Sequence, residues 1–321
     1  MIKLLVWSFF IAVFLVSPFF GAVNLTLHDI FNSNSMSANI FYSLRLPREL
    51  FALLSGAILA LSGLLFQTLF RNALMTPYTL GISSGAVLGA GVAIKLGVGV
   101  IVFGVSGVTV FGFAGALLSV FLLIYLAQFL KSSQHESILL LGIALSLFYT
   151  SALMILFYLG SSIQNDILIR FTMGSLSIVG WKSPVLLSVV TLFLFIIMYF
   201  YRYELQLLSI SNESAQLKGV DTKKVTLILL VVSSLAIGVL VSISGPIGFV
   251  GLVVPHMVAK LYPSTVEKRL LKTALFGGLF LVFCDTISRV LQTQSELPIG
   301  IITALIGGPF FIYLIIHRTA K

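Results

Sequence analysis

Residues 47–70 read PRELFALLSGAILALSGLLFQTLF, and no residue from Leu50 to Phe70 carries a charge, while Arg45, Arg48 and Arg71 stand at the two ends. A helix needs about 20 such residues to cross a hydrocarbon core about 30 Å thick. Inside lipid its backbone polar groups must be satisfied within the segment itself. The stretch therefore predicts a membrane-spanning helix.

The same pattern recurs along the chain. Apolar segments at 3–23, 47–70, 78–96, 107–130, 137–159, 183–203, 225–244, 247–262, 271–292 and 298–316 predict an all-α polytopic membrane protein of about ten transmembrane helices, built as a single transmembrane domain over 1–321. The eighth segment is short and broken by Pro255, and the apolar stretch Gly97 to Gly104 reads as a re-entrant piece or an extension of the fourth helix. Composition agrees: 59% of the 321 residues are hydrophobic and 9% are charged, with a mean hydropathy of +1.13. The N-terminal run resembles a signal peptide, but with nine more apolar runs behind it a first transmembrane helix is the better reading.

The net charge of +9 is distributed as membrane topology rather than as a nucleic-acid surface. With ten spans and both termini cytoplasmic, only Arg45, Arg48, Lys95, Arg170, Lys182 and Arg289 of the 19 basic residues fall outside, while the ten acids divide evenly. No polar stretch is long enough for a soluble domain, and the longest, 202–224, is a loop.

Catalytic chemistry is not visible. The chain lacks a Gly-x-x-x-x-Gly-Lys-Ser/Thr phosphate loop, which excludes ATP hydrolysis by that route. His28, His135, His256 and His317 are scattered without metal-ligand spacing, so no metal or cofactor is expected, and the single Cys284 reads as a small packed hydrophobe. Gly81, Gly85 and Gly89 form small-x-x-x-small steps, and Gly56, Ala60 and Gly63 make a second small face; both predict close helix packing within the chain.

The polar breaks carry the functional signal. Arg45-Leu46-Pro47-Arg48 opens the second helix, with Pro47 suited to a first-turn position; its arginines are either interfacial anchors or a docking site for a partner's carboxylates. Asp285 and Arg289 are four residues apart and share one helical face, either as a self-neutralised structural pair or as part of a functional site. In the loop about 204–224, Ser211 or Asn212 can cap a short helix that Gly219 ends. That helix is either a solvated connector or a contact surface.

At these residues the chain resembles the FecCD-type permeases, membrane subunits of ABC importers for iron siderophores, haem and vitamin B12. The resemblance covers about 45–316 in consistent order. It rests on RLPR (45–48), GAILALSGLLFQTLFRNAL (56–74), TLGISSGAVLGA (79–90), the ESA…G loop (213–219), GPIGFVGLVVPH (245–256), the Asp285 to Arg289 pair and ELPIGIITALIGGPFF (296–311). It implies that Arg45, Arg48 and Arg289 receive acidic residues of a periplasmic or lipid-anchored substrate-binding protein. It implies that Glu213, Ala215 and Gly219 form a cytoplasmic coupling helix seated on an ATPase subunit, two copies of which serve a permease homodimer or a pair of paralogous permeases. Leu74 corresponds to a cytoplasmic gate and the loop with His135 and Glu136 to a second; Ala73 stands where the family commonly has Pro, and His135-Glu136 replace small hydroxyl residues.

The implied function is ATP-driven import of a ferric siderophore across the bacterial inner membrane by alternating access, with haem or vitamin B12 as the alternative cargo. An ion-gradient-driven secondary transporter is the rival class. It calls for buried acids or broken helices near the midplane, whereas the acids here lie in loops or near segment ends.

Overall fold

The computed structural model describes residues 2–21, 36–98, 101–102, 105–129, 135–291 and 297–319. Its helices are α1 (Ile2–Val16), α2 (Met36–Leu69), α3 (Ile82–Lys95), α4 (Gly107–Ala127), α5 (His135–Leu159), α6 (Ser162–Met173) and α7 (Lys182–Phe200). They continue with α8 (Arg202–Leu208), α9 (Asn212–Leu217), α10 (Thr222–Ser244), α11 (Val250–Leu261), α12 (Val266–Leu291) and α13 (Ile299–Thr319). Six of them, α2, α4, α5, α7, α10 and α12, are long and apolar enough to cross a membrane; α1, α3, α11 and α13 are shorter apolar helices. Each of the ten apolar segments holds one of these ten helices.

Burial sorts the bundle. In α2, 83% of the apolar window is inside the molecule, and its Phe51, Ile58, Leu61 and Leu65 are fully buried on all sides. In α5 only 11% is inside. A helix apolar all round and buried all round is a core helix, so α2 is the axis of the fold and α5 lies at its periphery. α2 packs on α12, α11, α7 and α10, while α3 pairs with α4.

These contacts are set by missing side chains. A Cβ on Gly56 of α2 would fall on the carbonyl of Gly277 in α12, and one on Gly63 would fall on the backbone of Gly251 in α11. Gly85 and Gly89 meet Gly115 and the Phe111 carbonyl of α4 in the same way. Lipid is as apolar as leucine, so helices associate there through close packing rather than apolar burial, and small faces allow backbones to approach.

Two prolines show how lipid enforces backbone accounting. A proline inside a helix frees the carbonyl four residues earlier, and within lipid that oxygen must find another donor. Pro255 frees the Gly251 carbonyl of α11, and the side-chain amide of Gln67 from α2 donates to it at 3.1 Å. Pro47 frees the Ser43 carbonyl, and the Gly180 amide donates to it at 2.9 Å, while the Trp181 indole N–H donates to the Tyr42 carbonyl at 3.1 Å.

Several expectations are corrected. Pro47 does stand in the first turn of a regular α-helix, Leu46–Leu69, but the helical run does not start there: α2 begins eleven residues earlier at Met36 and passes through a π-helical turn, Phe41–Arg45, whose carbonyls the 180–181 segment answers. Gly81 lies just before α3, in the left-handed conformation at φ +79°, and still packs closely, against Ser119 of α4, which Gly85 also meets, and against Gly142 and Leu145 of α5. The described residues of Gly97 to Gly104 do not extend the fourth helix, which starts at Gly107; Ile101–Val102 (β1) pairs antiparallel with Val105–Ser106 (β2). The stretch between 160 and 182 contains α6, and the 202–224 loop contains α8 before its expected short helix.

The Gly56 contact makes a test. A valine there must push apart two backbones, at the upper end of the about 1–3 kcal/mol that overpacking costs. Gly56→Val should therefore lower the unfolding midpoint sharply in detergent, whereas Gly308→Ala in α13, whose Cβ meets nothing within 4 Å, should leave it unchanged.

Candidate functional site

Three places in the bundle carry polar chemistry, and the α2–α12 contact positions the first. These helices run antiparallel with Gly56 against Gly277. Eight residues along each, about 12 Å at 1.5 Å per residue, bring Arg48 opposite Asp285. The Arg48 guanidinium is bidentate on this carboxylate, with Nη2 at 2.7 Å from Oδ1 and Nε at 3.1 Å from Oδ2. From the other side Arg289 places its Nε 3.0 Å from Oδ2, one turn along α12. Asp285 is 1% exposed and is thus a buried anion between two cations. The remaining donors of Arg289 reach the segment after α1: Nη2 donates to Ser17 Oγ at 2.7 Å, and Nη1 to the carbonyls of Ser17 and Phe20. Arg45 Nη1 donates to the Pro18 carbonyl at 2.8 Å. The three arginines are therefore turned inward and fasten α1, α2 and α12 together. Glu49, next to them in α2, is buried with neither carboxyl oxygen hydrogen-bonded.

The second place is a cavity of about 740 Å³ between α3, α5, the end of α6, the α10–α11 connection and α13. Its walls are apolar except for hydroxyls: Tyr78, Ser83, Ser84, Tyr149, Thr150 and Thr172. The hydroxyl oxygens of Tyr78, Ser83 and Tyr149 are buried without a hydrogen-bond partner. Phe249 also lines it, held at φ +65°, a left-handed conformation that is a genuine outlier for a bulky residue. No charged side chain lines this cavity.

The third place is the α8–α9 end. Ser211 caps α9 by accepting from the Ser214 amide at 2.9 Å. Gly219, at φ +79°, closes it in a Schellman motif: its own amide donates to the Gln216 carbonyl and the Val220 amide to the Ala215 carbonyl. Ala215 is fully buried and anchors the turn, while Glu213 is exposed and Leu217, 89% exposed, is presented outward. Leu74, half-exposed, sits in the loop after α2, where its amide donates to Asn72 Oδ1. His135 and Glu136 open α5, and their side chains lie outside the described residues.

Sequence reasoning had placed Asp285 with Arg289, but not Arg48 with either, because a contact across 237 positions has no local signature. It missed α6, although Ser161 and Gln164 form the capping box that marks its start. It also missed the cavity, whose hydroxyls come from four separate stretches. Among the described residues no group of His, Cys, Asp and Glu could hold a metal ion.

Because Asp285 serves two arginines, removing it strands both. Asp285→Ala should cost about 3–5 kcal/mol, more than the double change with Arg289→Ala, and a triple change that adds Arg48→Met should recover further stability. A double-mutant cycle on unfolding in detergent, with coupling of about 0.5–3 kcal/mol, checks this.

The comparisons with known proteins agree with this architecture. The family model described as the FecCD transport family matches residues 9–317. The chain is 33% identical over 300 residues to the hemin transport system permease protein of Yersinia pestis, covering 93% of this chain and 90% of that protein. It is 33% identical over 280 residues to the vitamin B12 import system permease protein of Pectobacterium atrosepticum, covering 86% and 82%. A metal-chelate-type ABC transporter solved in an inward-facing conformation superposes with a TM-score of 0.85 at 29% identity, covering 96% of each chain. A multi-pass helical membrane protein with this match over nearly its whole length belongs to the FecCD transport family.

Proposed function

We propose that this chain is the permease subunit of an ATP-driven importer that moves a ferric siderophore across the bacterial inner membrane by alternating access. The cavity carries this reading. A volume of about 740 Å³ lies within the range of small-molecule sites, about 300–1,000 Å³. Its uncharged, hydroxyl-bearing lining suits a large chelate whose metal charge is masked by its own ligands. A bare cation would need carboxylate or carbonyl oxygens around it, which disfavours an ion-gradient-driven transporter. Haem and vitamin B12 remain alternatives with specific support, since relatives are named for each.

In this reading all ten apolar helices span the membrane, with both termini and α9 in the cytoplasm and Arg45 at the outer face. The exposed apolar face of α5, including Leu147, Phe148 and Ile155, meets a second permease copy, so that two cavities join into one pathway. The outer face shaped by Arg45, Arg48 and Arg289 receives the substrate-binding protein. Three arginines against Glu49 and Asp285 leave that cluster positive, and Arg48 keeps 11% of its side chain exposed. ATP hydrolysis resides on two separate ATPase subunits, which hold Glu213, Ala215 and Gly219 of the coupling helix. Leu74, with His135 and Glu136, forms the cytoplasmic gate.

Reconstitution in vesicles with the ATPase and the binding protein tests this. Uptake of the ferric chelate should require ATP and both partners, and uptake by this chain alone would overturn the reading. Gly219→Val should leave insertion intact, because a Cβ there meets nothing within 4 Å. The left-handed backbone would still cost about 1–2 kcal/mol and unwind the end of α9. Hydrolysis measured in the same vesicles should then continue while uptake falls.

A further inference from the structure

We infer that the cavity between α3, α5 and α13 selects an electrically neutral ferric chelate, of the tris-hydroxamate class, and that the hydroxyls of Tyr78, Ser83 and Tyr149 read its metal-bound oxygens. This rests on the siderophore-import reading and narrows its cargo to one charge class. The hydroxyls of the lining fall into two groups. Thr150 and Thr172 are satisfied within their own helices, donating at 2.8 Å to the carbonyls of Ser146 and Ile169. Ser83 and Tyr149 line the cavity while only 1% and 3% exposed. The Tyr78 hydroxyl lies beside Ser83 and the Ile247 backbone, and that of Tyr149 beside Ser119. None of the three oxygens has a hydrogen-bond partner in the chain, and Ser119 gives its hydrogen to the Gly81 carbonyl at 2.9 Å.

The fold gathers these three groups on one wall. Ser146 of α5 donates to the Tyr78 carbonyl at 3.1 Å, and Tyr149 stands three residues on, on the same face of α5. Ser83 lies in the first turn of α3. Each hydroxyl carries one donor and two acceptor sites, so the wall can offer three O–H donors to a ligand oxygen. It offers no charge: among the described residues no ionisable acid or base other than the two tyrosines lines the cavity. Arg170, the cation of the bordering α6, is 75% exposed and paired with Asp166 at 3.1 Å.

That combination discriminates between chelates. Ferric iron held by three hydroxamates is neutral, held by three catecholates it is a trianion, and haem carries two propionates. An anion moved from water into an apolar cavity must be paired there, and neutral hydroxyls do not pair it. Phe249 adds an aromatic wall, whose ring face is the negative part of its quadrupole. A tris-hydroxamate escapes this cost, and its coordinated oxygens still accept hydrogen bonds. A ligand without such acceptors leaves the three hydroxyls unpaired, which is how a site built to hydrogen-bond rejects an analogue.

Equilibrium binding to the full chain in phosphatidylcholine nanodiscs tests this, with a hexadentate ferric trihydroxamate, a hexadentate ferric tricatecholate and haem as probes. The trihydroxamate should bind more tightly than either other probe, by about 10-fold or more. Tyr78→Phe, Ser83→Ala and Tyr149→Phe should each weaken it by about 2- to 10-fold, as loss of one hydrogen bond does, with the unfolding midpoint unchanged. Thr150→Lys sets a cation in the lining and should strengthen tricatecholate binding while leaving the trihydroxamate no tighter, a change of preference that a purely structural effect does not produce. Equal affinities, tighter binding of the tricatecholate or haem, hydroxyl variants that bind like wild type, or no binding of any probe overturn the inference. Tighter tricatecholate binding does so while leaving siderophore import standing. ATP-independent uptake in vesicles overturns the importer reading and leaves the measured chelate preference intact.

Discussion

The contact of Gly56 with Gly277 fixes where everything else can be. With no Cβ on either side, α2 and α12 approach to backbone distance, and dispersion over that seam replaces the hydrophobic drive that lipid does not supply. The register follows from the contact. Eight residues toward one end, Arg48 reaches Asp285, and Arg289 joins them from the next turn of α12. The buried carboxylate is tolerable only because two guanidinium groups are delivered to it by the seam, since an unmatched buried charge costs several kcal/mol.

The same solvent imposes a second constraint, that each carbonyl freed by a proline be answered from elsewhere in the fold. Pro255 and Pro47 create two such openings, and Gln67 and the Gly180 amide fill them. Each repair is also a tie between segments distant in sequence. The broken stretch from Gly245 to Val250, with Phe249 in a left-handed conformation, is placed where it lines a cavity rather than lipid, which is where irregular backbone is permitted in a membrane. Cavity and irregular backbone therefore coincide.

The two ends of the molecule differ in how they are built. At the Arg45 end, charge is spent internally, on Asp285, Ser17 and Pro18, and the result is a fastened unit. At the α9 end, a six-residue helix is closed by a serine cap and a glycine turn and held by one buried alanine, leaving Leu217 outward. A rigid turn that shows an apolar side chain to its surroundings can pass a push into α10, which follows it directly.

What the sequence determined by itself is what lipid and local geometry read directly. Runs of about 20 uncharged residues give helices. Small residues four apart give close faces at Gly85 and Gly89, and a serine and a glycine eight residues apart, Ser211 and Gly219, bound α9. Asp285 and Arg289 could be paired because four residues make one turn. The family motifs, long and in one order, identified the chain. Tertiary structure decided the rest. That Arg48 closes the same carboxylate, that Gln67 serves the Gly251 carbonyl, that Gly81 lies before its helix and that hydroxyls from four stretches meet in one cavity all depend on how distant helices cross. Crossing is set by backbone contacts at a few glycines, and a one-dimensional pattern shows that such contacts exist without showing which two will meet.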